Sequence, residues 1–197
     1  MNSRAPDIAD LGFKVSDHVC AFYNEGSNSL DDIVVDYVSN GLRARNKCAC
    51  FTSARTASSV RDRIPGELMK PEGILQFFTQ AEAFLAGGEF SKVAFQRDME
   101  GLVKEALSGG YERCWVLADA AFIVRNSFSI DEWFAFEAEV NEFAPRYPWF
   151  GMCLYNLDRF DGELVMKVFQ THPRIFVNGM VIDNPYYVPT REFLASL

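Results

Sequence analysis

Residues 18–42 read HVCAFYNEGSNSLDDIVVDYVSNGL, and this stretch decides the fold. Its opening, residues 18–23, is almost entirely apolar and predicts a short buried β-strand. A polar turn over 24–29 follows, and apolar residues then recur at helical spacing over 30–42. Ser29 is the predicted N-cap of that helix, with two aspartates near its positive end. The stretch therefore predicts a strand, a loop and a helix in succession.

The rest of the chain continues this alternation of strands and helices. Further strands are predicted over 47–52, 73–78, 114–119 and 149–155, and helices over 53–63, around 99–107, from Ser129 to near Pro145 and over about 161–170. The dipeptide Asn178-Gly179, between apolar runs at 174–177 and 180–183, predicts a tight hairpin. The prediction is an α/β fold of three layers, with a mostly parallel sheet, helices on both faces and a C-terminal β-hairpin.

Composition limits the function classes that the chain can serve. No repeat or linker divides the 197 residues, so we expect a flexible lead-in over 1–15 and a single domain over 16–197. A formal net charge of -8 disfavours binding to nucleic acid or to anionic membranes. We find neither a leader peptide nor a long apolar run and expect a cytoplasmic protein. The 5 cysteines form no C-x-x-C pair and are expected to be reduced and mostly buried.

The first loop lacks the residues that bind nucleotide phosphates. Residues 24–29 contain one glycine and no Gly-Lys-Ser/Thr sequence, so the lysine and hydroxyl that hold phosphates and Mg²⁺ are missing. Asp119 ends an apolar strand where related folds place a magnesium-binding acid, but we expect it to cap the next segment or to bond a loop backbone. Residual nucleotide binding through Asp119 and this loop is the enzyme-class alternative.

The histidines and cysteines raise the question of a metal site. His18 and Cys20 share one face of their strand, and with Cys153 and His172 they could form a Cys2His2 zinc site. None of these residues has zinc-finger spacing. Buried thiols beside hydrogen-bonded histidines are the more frequent outcome, so no metal, cofactor or catalytic group is predicted.

Two aromatic-rich stretches add candidate binding residues. Glu137 lies four residues after Trp133 and three before Val140, which brings its carboxylate near the apolar stripe of a helix. It could bind a ligand or pair with an arginine. The segment 184–189 is extended by its prolines and carries two adjacent tyrosines, one of which can pack on the body while the other lines a cavity or a partner surface.

Taken together, these segments resemble the MEDS family, the methanogen/methylotroph DcmR-type sensory domain. The resemblance covers about residues 16–194. It is carried by His18-Val19-Cys20-Ala21-Phe22-Tyr23, Asn40-Gly41-Leu42, the helix around Glu137, Cys153-Leu154-Tyr155 with Asp158 and Phe160, His172-Pro173 and Asn184-Pro185-Tyr186-Tyr187.

The resemblance implies a RecA/KaiC-like P-loop fold with a degenerate phosphate-binding loop. It also implies a non-catalytic sensor of small organic molecules such as hydrocarbon derivatives, used in signal transduction and transcription regulation. Relatives are commonly joined to a DNA-binding or kinase-like module, whereas the recognisable domain here accounts for almost every residue. We therefore expect output through a separate kinase or regulator or through a homodimer, without direct contact to nucleic acid.

The leading hypothesis is a sensor that binds a small, largely apolar ligand near the carboxyl ends of the strands. Rings would supply most of the contacts and a few polar groups would orient the ligand. The expected ligand-binding residues are His18, Cys20, Tyr23, Glu137, Cys153, Tyr155, His172 and Tyr186. An interaction module that docks a partner through the C-terminal hairpin is the remaining alternative.

Overall fold

A computed structural model describes residues 12–25, 29–79, 85–86, 89–125 and 129–197. Its strands are β1 His18–Tyr23, β2 Lys47–Phe51, β3 Leu75–Phe78, β4 Leu85–Ala86, β5 Glu89–Phe90, β6 Cys114–Asp119, β7 Trp149–Asn156, β8 Arg174–Val177 and β9 Met180–Asp183. The helices are α1 Leu30–Arg43, α2 Ala54–Arg63, α3 Lys92–Ser108, α4 Ile130–Phe143, α5 Gly162–Thr171 and α6 Thr190–Leu194, with 3₁₀ turns at Ala120–Arg125 and Ala144–Arg146.

The main sheet has seven strands in the order β3-β2-β6-β7-β1-β8-β9. All neighbouring pairs are parallel except β8 and β9, which form the antiparallel hairpin. Helices α1 and α2 pack on one face, and α3, α4 and α5 pack on the other, so that each face has its own apolar core. The predicted three-layer α/β fold with a C-terminal hairpin is confirmed.

Local signals in the sequence explain where many elements begin and turn. The side chains of Ser53, Ser91, Ser129 and Asp161 each accept a hydrogen bond from the amide three residues later and so cap α2, α3, α4 and α5. Ser29 stands at the N-cap of α1 but makes no side-chain cap bond. At the β8–β9 turn, Asn178 and Gly179 have φ of 50° and 79°, the positive values that a tight hairpin requires.

Several elements differ from the sequence-based expectation. Helix α3 begins at Lys92, well before the apolar repeat that predicted it, because Ser91 provides an N-cap. The 3₁₀ turn at Ala120–Arg125 and the short helix α6 were not predicted. The adjacent glycines Gly87-Gly88 predict a turn, which lies outside the described residues. The strands that flank it, β4 and β5, pair antiparallel.

The cysteines agree with the expectation of reduced, mostly buried thiols. All five cysteines are free thiols, and Cys153 alone among them is only partly buried. Within the described ranges, none of the helices combines the length and the apolar character needed to cross a membrane.

The neighbouring strands β1 and β7 lie at the centre of the candidate site. Their parallel register places Cys20 opposite Cys153 and His18 opposite Gly151. Because alternate residues of a strand share a face, His18, Cys20, Gly151 and Cys153 all face the layer formed by α4 and α5. That layer supplies the remaining groups of the site.

Candidate functional site

A buried polar cluster lies between β1 and β7 on one side and α4 and α5 on the other. It consists of His18, Glu137, Cys153 and His172, whose nitrogen, oxygen and sulfur atoms all lie within 4.8 Å of one another. His18, Glu137 and His172 are at most 2% exposed. Glu137 reaches the interior because it lies on the apolar stripe of α4, as its spacing predicted, and His172 is the residue that ends α5.

One oxygen of Glu137 is the centre of the cluster. Glu137 Oε2 lies 3.0 Å from His18 Nε2 and 3.4 Å from His172 Nε2. The Cys153 thiol is 3.8 Å from the same oxygen and 3.5 Å from His18 Nε2. The other carboxylate oxygen, Oε1, accepts a hydrogen bond of 2.9 Å from the Tyr155 hydroxyl. The two histidine rings lie face to face at a tilt, with centroids 4.2 Å apart.

Groups outside the cluster fix the orientation of both imidazoles. His172 Nδ1 lies 2.8 Å from the Val168 carbonyl, which can only accept, so Nδ1 carries the proton. His18 Nδ1 lies 3.0 Å from Asn141 Oδ1. The amide nitrogen of Asn141 donates to the carbonyls of Ala138 and Thr171, at 3.1 and 2.8 Å, which leaves its oxygen to accept from His18. Both histidines therefore turn Nε2 inward.

The electrostatics of the cluster favour a charged carboxylate at Glu137. Burial by itself raises the pKa of Glu137, but the two imidazoles that face its carboxylate, those of His172 and His18, outweigh burial and hold that pKa well below the usual range. Burial lowers the pKa of His172, and the nearby His18 lowers it further. For Cys153 and Tyr155, burial and the charge of Glu137 raise the pKa well above the ordinary value, so the thiol and the phenol are protonated.

A small cavity adjoins the polar cluster. Its walls are apolar side chains of β6, β7, α3 and α4, and it ends on His18, Glu137 and Cys153. The volume of this cavity is about 20 Å³. Since Gly151 has no side chain, the indole of Trp149 folds over it, and a Cβ there would lie 2.8 Å from the ring. The wall residues are Phe95, Val116, Ala118, Trp133, Phe136, Val140, Trp149, Gly151 and Met152.

A much larger groove opens on the opposite face of the sheet, between α1 and the β8–β9 hairpin. Its volume by the same measure is about 820 Å³. Tyr37, Trp115 and Met152 are among the buried residues that line it, and Asp36 and Arg43 are among its charged residues. The cavity and the groove therefore differ greatly in size and lie on opposite faces of the sheet.

The structure brings together some of the predicted binding residues and separates others. His18, Glu137, Cys153, Tyr155 and His172 form one cluster. It lies against the start of β1 and the middle of β7 rather than beyond the carboxyl ends of the strands. This location differs from the expected one because the side chains of α4 and the end of α5 reach the sheet at that level.

Cys20, Tyr23 and Tyr186 lie outside this cluster. The Cys20 thiol shares the face of His18 but donates to the Arg174 carbonyl at 3.7 Å. Glu137 therefore takes the place that the hypothetical Cys2His2 set gave to Cys20. Tyr23 belongs to the core on the other face of the sheet, where its hydroxyl lies 3.0 Å from Asp119 Oδ1.

Tyr186 and Asp119 also lie outside the cluster, and their contacts include a ring contact and a backbone hydrogen bond. Tyr186 is 58% exposed and its ring lies against Phe169, with centroids 5.9 Å apart. Asp119 Oδ1 accepts a bond of 3.0 Å from the amide of Ala121 in the 3₁₀ turn that follows, which confirms the predicted cap on the next segment. Residues 26–28 of the first loop lie outside the described residues.

Asn141 and Thr171 are functional neighbours that the sequence analysis missed. Asn141 orients His18 and ties α4 to the Thr171 carbonyl at the end of α5. Its spacing of four residues from Glu137 was a usable signal, since residues at i and i+4 share one face of a helix.

Comparisons with known proteins agree on family and fold. A family model described as MEDS, the methanogen/methylotroph DcmR sensory domain, matches residues 17–173. The fold is similar to that of the flagellar accessory protein FlaH from Methanocaldococcus jannaschii, with 7% identity, a TM-score of 0.51 and coverage of 85% of this chain and 75% of FlaH. It is also similar to a KaiC-like protein from Pyrococcus horikoshii OT3, with 12% identity, a TM-score of 0.57 and coverage of 86% and 76%. No curated protein sequence matches the chain.

Proposed function

The chain belongs to the MEDS family of sensory domains, and from this premise we propose that it is a non-catalytic, cytoplasmic sensor of a very small, largely apolar organic molecule. The observation that supports this proposal is the apolar cavity that ends on His18, Glu137 and Cys153. Its walls favour a hydrocarbon part by about 25 cal/mol per Å² of buried apolar surface. Its polar end offers one place to orient a hydroxyl, amine, thiol or halogen.

The volume of the cavity limits the size of the ligand. A single water needs roughly 10–15 Å³ by the same measure, so a cavity of about 20 Å³ admits a molecule of only a few heavy atoms. If the same molecule bound instead in the groove of about 820 Å³ on the other face, most of its surface would stay in contact with water. Specific sites bury roughly 70–90% of their ligand, which favours the small cavity for a ligand of this class.

The surroundings of the cavity suggest how binding could alter the rest of the domain. Helix α4 forms one wall, and a ligand that displaced this helix would act on two contacts beyond it. Asn141 of α4 donates to the Thr171 carbonyl, and the Thr190 hydroxyl at the start of α6 donates to the Ala138 carbonyl at 2.9 Å. We propose that α5 and α6 carry the signal to a partner protein or to a second copy of the chain.

The experiment is a thermal shift assay on the full chain with alcohols, amines, thiols and alkyl halides of about one to three carbons. A compound present at about 100 times its Kd stabilises the folded state by roughly 2.7 kcal/mol, provided that it does not bind the unfolded chain. For a domain of this size that corresponds to an increase in Tm of about 5–10 °C. Absence of a shift from every compound, together with absence of xenon from the cavity in pressurised crystals, would refute the proposal.

Two variants locate the binding site. Ala118→Val narrows the cavity and should abolish the ligand-induced shift. Ala21→Val adds the same group to a buried alanine of the core on the opposite face and should leave the shift intact. The shift is measured against the Tm of each variant without ligand, so an intrinsic loss of stability does not affect the comparison. An equal ligand-induced increase in Tm in both variants would show that the ligand does not bind in the cavity.

A further inference from the structure

We propose that His18 Nε2, His172 Nε2, Glu137 Oε2 and Cys153 Sγ bind one divalent transition-metal ion with the donor preferences of zinc. The proposal rests on the geometry of these four side chains and not on the sensory function, and either can fail without the other. The four residues come from β1, β7, α4 and the end of α5, so an ion among them would join the sheet to the helical layer.

The distances within the cluster fit the edges of a tetrahedron. Zinc bonds of about 2.0–2.1 Å to nitrogen and oxygen and about 2.3 Å to sulfur place tetrahedral donors about 3.3 Å apart, or about 3.5 Å apart where one donor is sulfur. The observed N–O separations are 3.0 and 3.4 Å, and the separations from sulfur to nitrogen and oxygen are 3.5 and 3.8 Å. The remaining separations lie within 4.8 Å, so small side-chain adjustments suffice.

The hydrogen bonds around the cluster are those that metal-binding histidines use. In each imidazole Nδ1 donates to an oxygen, of Asn141 for His18 and of Val168 for His172, and the Nε2 lone pair is directed inward. His172 Nε2 is completely buried and has no hydrogen-bond partner among the residues that the structure describes, although Glu137 Oε2 lies 3.4 Å away. Buried polar atoms in folded proteins usually have a partner, and an ion at the centre would supply one.

Charge and donor type favour zinc over other common ions. The Glu137 carboxylate and a Cys153 thiolate together carry two negative charges, which a divalent cation neutralises inside the protein. The thiol proton is released to solvent when the ion binds. Two imidazoles and a thiolate suit zinc and its neighbours in the transition series, whereas Ca²⁺ and Mg²⁺ bind mainly to oxygen. Four protein donors leave no open position, as in structural zinc sites.

The test uses the full chain and cobalt as a spectroscopic probe. The chain is unfolded with a chelator, separated from it and refolded with an equimolar amount of Co²⁺. We expect intense visible bands of tetrahedral cobalt and a thiolate-to-cobalt charge-transfer band, both of which disappear when Zn²⁺ displaces the probe. Elemental analysis of the zinc-loaded wild-type chain should give about one ion per chain. A refolded wild-type chain that binds neither Co²⁺ nor Zn²⁺ would overturn the proposal.

Matched cysteine variants identify the sulfur donor. Cys153→Ser should remove the charge-transfer band, whereas Cys20→Ser changes the residue directly opposite on β1 and should keep it. His172→Gln should remove the tetrahedral spectrum without changing the Cys20 environment. Loss of the band in Cys20→Ser with retention in Cys153→Ser would contradict the assigned donor set. If a variant fails to refold, the measurement on the wild-type chain still decides whether the ion binds.

Discussion

The hydroxyl of Tyr155 donates a hydrogen bond of 2.9 Å to Glu137 Oε1, and it thereby holds a buried carboxylate from the side that faces away from the histidines. The other oxygen, Oε2, faces His18, His172 and the thiol of Cys153. Tyr155 and Cys153 alternate along β7 and so share the face that α4 covers. The strand therefore presents to Glu137 one hydroxyl that donates to Oε1 and one thiol that lies beside Oε2.

Removal of the Tyr155 hydroxyl should lower the free energy of unfolding more than removal of a buried tyrosine hydroxyl that donates to a neutral acceptor. In metal-free protein, Tyr155→Phe should lower the free energy of unfolding by about 1.5–3 kcal/mol, the range for bonds to charged groups. Tyr37→Phe is the matched control, because Tyr37 is also buried but donates to the backbone carbonyl of Val116. It should cost about 0.5–1.5 kcal/mol, as measured by urea denaturation. Equal losses would indicate that Glu137 is protonated.

Asn141 should act as a positioning residue for the proposed metal site. Its oxygen holds His18 Nδ1, so Asn141→Ala frees the imidazole to rotate. Loss of such an outer contact typically weakens metal binding by about 10–100-fold, which competition with a coloured zinc chelator would measure. Asn156→Ala is the control, because Asn156 is an asparagine at least as buried as Asn141, but its side-chain oxygen accepts from the amide of Asp158 just after β7. Unchanged zinc affinity in Asn141→Ala would show that His18 does not need this support.

Gly41 should resist substitution although it lies inside a helix. Alanine is intrinsically better than glycine in a helix by about 1 kcal/mol. A Cβ at Gly41 of α1, however, would lie 2.7 Å from Cys48 Sγ and 3.0 Å from the ring of Trp115. Overpacking of a core costs about 1–3 kcal/mol, so Gly41→Ala should destabilise the protein in urea denaturation.

Gly101 of α3 is the matched control for this substitution, because a Cβ there meets nothing within 4 Å. Gly101→Ala should stabilise the protein by about 0.5–1 kcal/mol. The double variant Gly41→Ala with Cys48→Ala should recover part of the loss, because it removes the nearest obstructing atom. Stabilisation by Gly41→Ala alone would show that the α1–β2 contact relaxes at little cost.

The spacing of residues within one strand or helix predicted which side chains share a face. It could not predict how far along the sheet each helix lies, and this position decides which side chains of different elements come into contact. His18 and Cys20 share a face, and Glu137 lies on the apolar stripe of α4, as expected. The sequence alone left open which thiol would join the histidines. The β1–β7 register sets Cys20 opposite Cys153, and the height of α4 over the sheet then brings Glu137 to Cys153.

Spacing alone was enough to predict that some of the expected binding residues lie apart from the others. His18 and Tyr23 lie five residues apart on one strand, so their side chains leave opposite faces of the sheet. Tyr23 accordingly packs beside α1 and bonds Asp119, away from the histidines. The position of Tyr186 depends on how the segment after β9 docks on Phe169, a long-range contact with no periodic signal.

Substitutions of Asp119 test whether this RecA/KaiC-like domain still binds a nucleotide. Its Oδ1 accepts hydrogen bonds from the Tyr23 hydroxyl and the Ala121 amide, both at 3.0 Å, which indicates a structural role. Calorimetry of the wild-type chain with ATP and Mg²⁺ should therefore show no binding heat. Asp119→Ala should lower the free energy of unfolding by about 1–3 kcal/mol, because two buried donors lose this acceptor. Asp119→Asn keeps an acceptor oxygen and should lose less. Binding heat in the wild-type chain that disappears in Asp119→Asn would instead favour a nucleotide site at the end of β6.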